Sequence, residues 1–197
     1  MMKSCLYVFT ALLAALLLIT TSSARAQNRA QMSAVEILAA MKPGQWMHLE
    51  GVIQKGFSVM CTEARILTGD IPENKWSITT VARNTNPAKK ELKLLRLLVK
   101  TQMETEFESK TNPTFKSFAD LKPGMFLEID GTYLKDYTFL AVEIEDISTE
   151  LTADPTLENQ VEVDGKVEKV DVSNRTVTLM GITFHIIDKT RLKSAIK

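Results

Sequence analysis

The sequence predicts an all-β protein with minor α content: two OB-like five-stranded β-barrels with short helices, after a cleaved signal peptide. Three observations support this prediction: a hairpin-forming segment that occurs twice, a three-stranded segment that also recurs, and an apolar N-terminal run. Five bent strands that close into a barrel remove the exposed edges that a lone hairpin or meander would carry.

The hairpin-forming segment spans residues 41–67 and returns, without a gap, at residues 121–147. Each copy begins with Lys-Pro-Gly, which ends a helical turn because proline cannot continue a helix. The turn residues that the two copies share are Pro43, Gly44, Gly51, Pro123, Gly124 and Gly131. Gly51 and Gly131 fall in the middle of a predicted strand, which indicates a bulge or a sharp barrel bend.

Each copy predicts a short helical turn followed by a β-hairpin. Ser33 and Glu36 fit a capping box that starts a helix ending at Ala40. The predicted strands are Trp46–Gln54, Phe57–Ile66, Met125–Leu134 and Tyr137–Ile147. Only two residues separate the strands of each pair, so the sequence predicts two-residue hairpin turns at Lys55-Gly56 and Lys135-Asp136.

The three-stranded segment is clear at residues 161–194 and weaker at residues 77–109. Residues 91–100 alone would suit a helix, but their counterpart is β-branched and contains a glycine, so we predict two strands there. Between Val81 and Leu92 the weaker copy indicates about four extra residues, which would form a longer hairpin.

The order of the segments predicts how the chain divides. Residues 76–150 would form one continuous barrel, and residues 27–70 with 160–197 would form a second barrel from both chain ends. The rival division is sequential, with barrels at 27–113 and 114–197. The hairpin that contains Gly51 should pair with residues 161–187 in the first case and with residues 77–101 in the second.

Residues 1–26 have the pattern of a secretory signal peptide, with a basic start, an apolar run and small residues Ala24 and Ala26 at the cleavage site. The apolar run is shorter than the roughly 20 residues that span a bilayer. We therefore expect a periplasmic or secreted protein without stable membrane insertion. Removing Lys3 and Arg25 with this segment leaves 22 basic and 24 acidic side chains, which gives no electrostatic basis for nucleic-acid binding.

The residue types that carry catalysis or bind metals are sparse. No CxxC, HExxH, phosphate-loop or GxSxG motif is present, so we predict no enzyme activity, no cofactor and no metal site. Cys61 would be the one cysteine left after cleavage, and we interpret it as a small buried side chain. Met47, His48, Met60 and Cys61 suggest copper at first sight, but adjacent strand residues face opposite sides.

Two further features are candidates for recognition. Tyr133 and Tyr137 are the predicted ligand-binding residues, because a phenol presents both a ring and a hydroxyl group. Residues 136–165 contain nine acidic side chains and no lysine or arginine. This stretch is interpreted either as a surface for a cation or basic partner, or as a solvated linker with charged edge strands.

The segments GKVEKVDVSNRTVTLMGITFHIIDKTRL and FADLKPGMFLEIDGTYLKDYTFLAVEIE resemble the two halves of a bacterial exported family, a domain of unknown function with an OB-like barrel. The resemblance covers most of residues 41–197, and Arg96 stands where the family pattern has a glycine. It implies the barrel fold and supplies no catalytic residues.

These observations predict an exported, non-catalytic binding module whose partner is a glycan, a peptide or an envelope protein. One alternative is a structural or assembly component of an envelope complex. The other is a periplasmic metal or redox protein that uses His48 and Cys61.

Overall fold

The computed structural model describes residues 32–73 and 75–193, so the predicted signal peptide with Ala24 and Ala26 lies outside the described residues. The helices are α1 (Ala34–Ala40) and α2 (Ser148–Ala153), with 3₁₀ turns at Lys55–Phe57, Phe118–Asp120 and Pro155–Asn159. The strands are β1 (Trp46–Ile53), β2 (Val59–Ile66), β3 (Trp76–Val81), β4 (Asn84–Asn86), β5 (Glu91–Leu94), β6 (Leu97–Glu108), β7 (Phe126–Tyr133), β8 (Thr138–Asp146), β9 (Gln160–Asp171), β10 (Thr176–Leu179) and β11 (Ile182–Lys193). The predicted mostly-β fold with few helices is therefore confirmed. Within these ranges no helix is long and apolar enough to cross a bilayer.

The helical turn before each Lys-Pro-Gly is capped by its own side chains. The Ser33 hydroxyl accepts a hydrogen bond from the Glu36 backbone, and the Glu36 carboxylate accepts one from the Ser33 backbone at 2.7 Å, which confirms the predicted capping box. At the 3₁₀ turn before β7 the Asp120 carboxylate likewise accepts hydrogen bonds from the Ser117 backbone at 2.9 Å and from the Ser117 hydroxyl at 3.0 Å. Each hairpin is thus entered from a capped turn.

Five strands close into a barrel in the order β1-β2-β11-β10-β9, with β9 pairing back onto β1. The β2–β11 pair is parallel and the other pairs are antiparallel. The hairpin that contains Gly51 therefore pairs with strands of the 161–187 segment. Strands from both ends of the described chain thus build this barrel together.

The remaining strands continue the same sheet in the order β3-β7-β8-β6-β5-β4, and β3 joins it to the barrel by pairing with β9. Their register matches that of the barrel when Gly51 is aligned with Gly131 in the hairpins and Ile78 with Val163 in the three-stranded segments. We call positions matched by these two alignments equivalent positions. Both hairpins, for example, shift register at the central glycine, where Gly51 pairs with Cys61 and Gly131 with Ala141.

The two register shifts require glycine because the backbones approach closely there. A β-carbon on Gly51 would lie 2.6 Å from the Met60 carbonyl oxygen, and one on Gly131 would lie 2.0 Å from the Leu140 carbonyl oxygen. No side chain fits at such distances. The bulges bend the hairpins as a small barrel requires.

The predicted two-residue hairpin turns are wrong, because the strands end earlier. β1 stops at Ile53 and β2 begins at Val59, while β7 stops at Tyr133 and β8 begins at Thr138. Phe57 and Tyr137 adopt left-handed conformations with φ of 66° and 63°, which strands do not tolerate. Their rings consequently leave the sheet and are 53% and 47% exposed.

The predicted extra residues between Val81 and Leu92 are absent. Thr85 pairs with Leu92 and Val170 pairs with Val177, so both connections have the same length. Because the two turns share no side-chain pattern, their equal length was not visible in the sequence. The prediction of two strands in residues 91–100 is confirmed, since β5 and β6 lie there.

Candidate functional site

A cleft of about 780 Å³ opens between the β7–β8 turn, the start of β3 and the second half of β9. We call it the aromatic cleft. The lining residues that matter for its chemistry are Glu73, Trp76, Tyr133, Tyr137, Lys166 and Glu168. Its volume falls in the range of roughly 300–1,000 Å³ typical of small-ligand pockets.

Three strands contribute a row of packed rings, of which Trp76 and Tyr133 line the aromatic cleft and Trp46 lies behind Trp76. The Trp46 and Trp76 ring centroids are 5.0 Å apart, and those of Trp76 and Tyr133 are 5.5 Å apart. Trp76 and Tyr133 are each only 7% exposed, so packing holds them in one orientation. The Lys166 ammonium lies 5.4 Å from the Trp46 ring, in the geometry of a cation–π contact. These rings are therefore packed in place by the protein itself.

Tyr137 also lines the cleft, and its ring position depends on Gly181. A β-carbon at Gly181 would come within 2.3 Å of the Tyr137 ring, so the ring packs directly on the glycine backbone. The Tyr137 carbonyl accepts a hydrogen bond from the Leu98 amide at 2.7 Å. The backbone of Tyr137 is thus fixed while its ring stays half exposed at the mouth of the cleft.

The charges of the aromatic cleft are balanced. Lys166 pairs with Glu73, and the Glu168 carboxylate accepts a hydrogen bond from the Gly181 amide at 3.1 Å. Burial and the nearby Glu168 carboxylate raise the pKa of Tyr133 to about 12. Tyr133 therefore stays a neutral phenol at physiological pH. With Lys135 the lining has two lysines and two glutamates, so no ionic sign dominates.

The equivalent place in the other hairpin has far less space and different side chains. Ile53 stands at the position equivalent to Tyr133, Val81 at that of Lys166, and Arg83 at that of Glu168. The cavity there is about 50 Å³ and is also lined by Phe57, the equivalent of Tyr137. A wide aromatic cleft is thus a feature of one side only and does not follow from the barrel architecture alone.

Tyr133 and Tyr137, the ligand-binding residues predicted from the sequence, both line this cleft. Their role in binding stays a prediction. Sequence reasoning missed Trp76, Lys166 and Glu168, because no local pattern connects them with the tyrosines. The β3–β9 pairing brings them together, and these two strands lie in different halves of the chain.

The structure separates the two residues of the predicted metal or redox alternative. Cys61 is fully buried, its thiol donates a hydrogen bond to the Glu63 carbonyl at 3.2 Å, and burial raises its pKa to about 12. This confirms Cys61 as a small buried side chain. The neighbouring strand directs Met47 into the core, whereas His48 lies on the outer face of the sheet.

His48 instead joins carboxylates from two strands. Its Nδ1 lies 2.6 Å from Asp164 and its Nε2 lies 2.9 Å from Glu50. Burial opposes the charged imidazole, but these two carboxylates outweigh it and raise the pKa of His48 to about 9. Glu162 lies close by, and burial and the Glu50 charge raise its pKa. One ligand atom each from His48, Glu50 and Glu162 lie within 4.8 Å of one another.

The fold and the cleft together define a mostly-β protein with a closed five-stranded barrel and a pre-formed pocket. Comparison with protein families finds a domain of unknown function, DUF5666, at residues 78–145. This match begins in β3, ends in β8 and covers about a third of the chain. No curated protein and no solved structure matches the chain.

Proposed function

We propose that this protein is an exported, non-catalytic binding module and that the aromatic cleft recognises its partner. The candidates are a glycan, a peptide or an envelope protein, and the cleft best fits a glycan. The observation that carries this choice is the half-exposed Tyr137 ring near the packed rings of Trp76 and Tyr133, in a cleft whose two lysines and two glutamates balance in charge. Sugar rings offer apolar faces for stacking and hydroxyl groups for hydrogen bonds, and OB-type barrels bind oligosaccharides among other ligands.

The cleft also disfavours other ligand classes. A nucleic acid would need a continuous basic surface, whereas Lys166 is already paired with Glu73. The partly exposed Tyr137 and the buried Tyr133 provide one adaptable contact and one fixed contact. Such a combination suits a ligand that is held by ring contacts and oriented by a few polar groups.

The proposal includes the two-barrel architecture and the export that the sequence predicts. The chain would carry an internal repeat, with a second barrel built on β3 to β8. Residues 1–26 would be a signal peptide that directs the protein to the periplasm or the exterior. The matching registers of the two hairpins support the repeat. A basic residue, an apolar run and small residues follow one another in residues 1–26, and this order supports the export.

Tryptophan fluorescence tests the proposal at this site. The chain has two tryptophans, and Trp76 lines the cleft while Trp46 packs against it. We expect at least one neutral oligosaccharide from an immobilised panel to bind and to change this fluorescence in a saturable titration. Tyr137→Ala should weaken that binding about tenfold, equal to about 1.4 kcal/mol.

Phe57→Ala is the matched control, because Phe57 holds the equivalent position, has a similar exposure and lines the small cavity. It should bind the oligosaccharide as the unaltered protein does. Equal losses in both variants, or no saturable change with any member of the panel, would contradict glycan binding at the cleft. Binding of peptides alone would replace the glycan by the peptide candidate.

The second candidate is a structural or assembly component of an envelope complex. It is favoured by the outer sheet face, where Asp130, Glu143, Glu128 and Glu145 occupy neighbouring positions of β7 and β8. If these acids bind the complex, their exchange for lysine should release the protein from an envelope fraction while its circular dichroism spectrum stays unchanged. Retention of the variant in that fraction would leave the cleft as the better explanation.

A further inference from the structure

Two neighbouring strands place four ligand-type side chains in a compact block on the outer face of the barrel. β1 and β9 are antiparallel, with His48 opposite Asp164 and Glu50 opposite Glu162. The residue between the two on β1, Leu49, points into the core. The block is therefore fixed by strand register and does not depend on a mobile loop.

We propose that His48, Glu50 and Glu162 form a binding site for a divalent transition-metal ion of the Zn²⁺ type, with Asp164 as the residue that orients the histidine.

The hydrogen bonds of His48 already have the arrangement that metal sites use. Asp164 holds Nδ1 at 2.6 Å, which directs Nε2 towards the carboxylate of Glu50 at 2.9 Å. A carboxylate on one ring nitrogen and a metal on the other is the common pattern for ligating histidines. The bound ion would take the place of the Nε2 proton between the imidazole and the two glutamates.

The spacing of the ligand atoms fits such an ion. Bond lengths of about 2.0–2.2 Å from zinc to nitrogen and oxygen place neighbouring tetrahedral ligands roughly 3.3–3.6 Å apart. The ligand atoms of His48, Glu50 and Glu162 lie within 4.8 Å of one another, and none needs to leave its strand to reach that spacing. Three protein ligands leave the fourth position to water or to a ligand from solution.

The surroundings favour a cation and leave it a path. The side chains of His48, Glu50 and Asp164 are 15%, 27% and 36% exposed, so the block is partly shielded and still reachable. Asp164 also lines an open cavity of about 450 Å³, whose charged lining is four acids and two bases: Asp70, Glu128, Asp130, Asp164, Arg65 and Lys75. Arg65, opposite His48 on β2, directs its guanidinium to Glu63 instead.

The donor set selects among cations. Mg²⁺ and Ca²⁺ prefer all-oxygen ligands, whereas an imidazole beside carboxylates suits Zn²⁺ and its first-row neighbours. Replacing the histidine should therefore separate the two classes. A site that held Ca²⁺ through its carboxylates alone would not depend on His48.

The test is calorimetric titration of Zn²⁺ into the metal-free full chain, produced without a histidine tag. We expect one equivalent to bind, and His48→Gln and Glu162→Gln should each weaken binding at least tenfold. Asp164→Asn should weaken it about 10–100-fold, the range usual for partners that orient a metal ligand. Circular dichroism of each variant checks that the barrel is intact.

Two substitutions and one spectrum provide the controls. His185→Gln removes an exposed histidine of β11, and Glu106→Gln removes an exposed acid of β6, which lies away from β1 and β9; both should bind Zn²⁺ normally. The imidazole nitrogen signals, only two sets in a chain with two histidines, should shift for His48 and not for His185. No stoichiometric binding, unchanged binding in His48→Gln, or equal competition by Ca²⁺ would overturn the proposal.

Discussion

Ile78 and Val163 lie directly opposite each other in the antiparallel pair of β3 and β9. They are also equivalent positions of the two three-stranded segments, and both are fully buried. The closed barrel and the remaining strands therefore meet at equivalent positions, the arrangement expected for two similar units related by a two-fold axis. One hydrophobic cluster runs through this junction.

Ile78→Ala should lower the free energy of unfolding by about 2–5 kcal/mol, because it removes buried methyl groups and leaves a cavity. The variant should still unfold in a single cooperative transition, because the hydrophobic core is shared across the junction of β3 and β9. Urea unfolding followed by circular dichroism measures both. Val142→Ala, at a 49% exposed position, should change stability by less than about 0.5 kcal/mol. Two separate transitions would contradict the shared core.

Glu63 and Glu143 are equivalent positions with opposite surroundings. Glu63 is 1% exposed and pairs with Arg65, Arg191 and Lys193. Burial works against its charge, but hydrogen bonds from Lys193 and Arg65 prevail and lower its pKa. Glu143 instead lies among acids, and burial with the Glu108 carboxylate raises its pKa.

Glu63→Gln should therefore destabilise the protein at neutral pH by about 3 kcal/mol, because three cations lose their buried partner. The folded-state pKa of Glu63 lies below its unfolded value, so its contribution is present above the unfolded pKa and lost as pH falls through the folded one. The difference between variant and unaltered protein should accordingly shrink in acid. Unfolding curves at neutral and acidic pH measure it.

Glu143→Gln is the matched control for Glu63→Gln. Its ionised form is disfavoured by neighbouring acids, so removing the charge should leave stability at neutral pH unchanged or slightly higher. Equal losses at both positions would show that the cations around Glu63 contribute nothing specific.

Gly181→Ala should reshape the aromatic cleft. Gly181 has φ of 68°, and its added methyl group would meet the Tyr137 ring at 2.3 Å. Gly124→Ala has similar backbone strain at φ of 92° but open space around it. We expect each to lose about 1 kcal/mol from the left-handed conformation, with a further loss and a shift of the Tyr137 ring resonances only in Gly181→Ala. Identical behaviour of the two variants would exclude the ring contact.

Cys61 should react with thiol reagents only when the protein unfolds. It is fully buried and burial raises its pKa to about 12, so neither access nor thiolate is available near pH 8. In a Cys5→Ser background, labelling by an aromatic disulfide reagent should be slow in buffer and complete in concentrated urea. Rapid labelling of the folded chain would place the thiol at the surface.

The recurring features of the sequence were sufficient for much of the fold. The Lys-Pro-Gly stops, the central glycines and the counterpart of residues 91–100 predicted the strands and the barrel. Turn lengths failed because left-handed Phe57 and Tyr137 have side chains that suit strands equally well. Their conformation depends on contacts outside the turn, such as that between Tyr137 and Gly181.

The candidate sites were only partly accessible from the sequence. Tyr133 and Tyr137 stood out as phenols near one turn, whereas Trp76 and Lys166 entered the cleft through strand pairing. The His48 block was missed for the same reason, since Asp164 and Glu162 belong to a strand near the other end of the chain. A single sequence shows which strands exist but not the register that places their outer faces side by side.

The closing of the barrel by strands from both ends of the chain constrains how the protein is made. The hairpin of β1 and β2 is synthesised well before its partners β9 and β11. Until they arrive, two strand edges stay unpaired and open to foreign chains. The first hairpin is therefore fully paired only after β9 and β11 have been synthesised, and a stop codon ahead of these strands would leave both of its edges open.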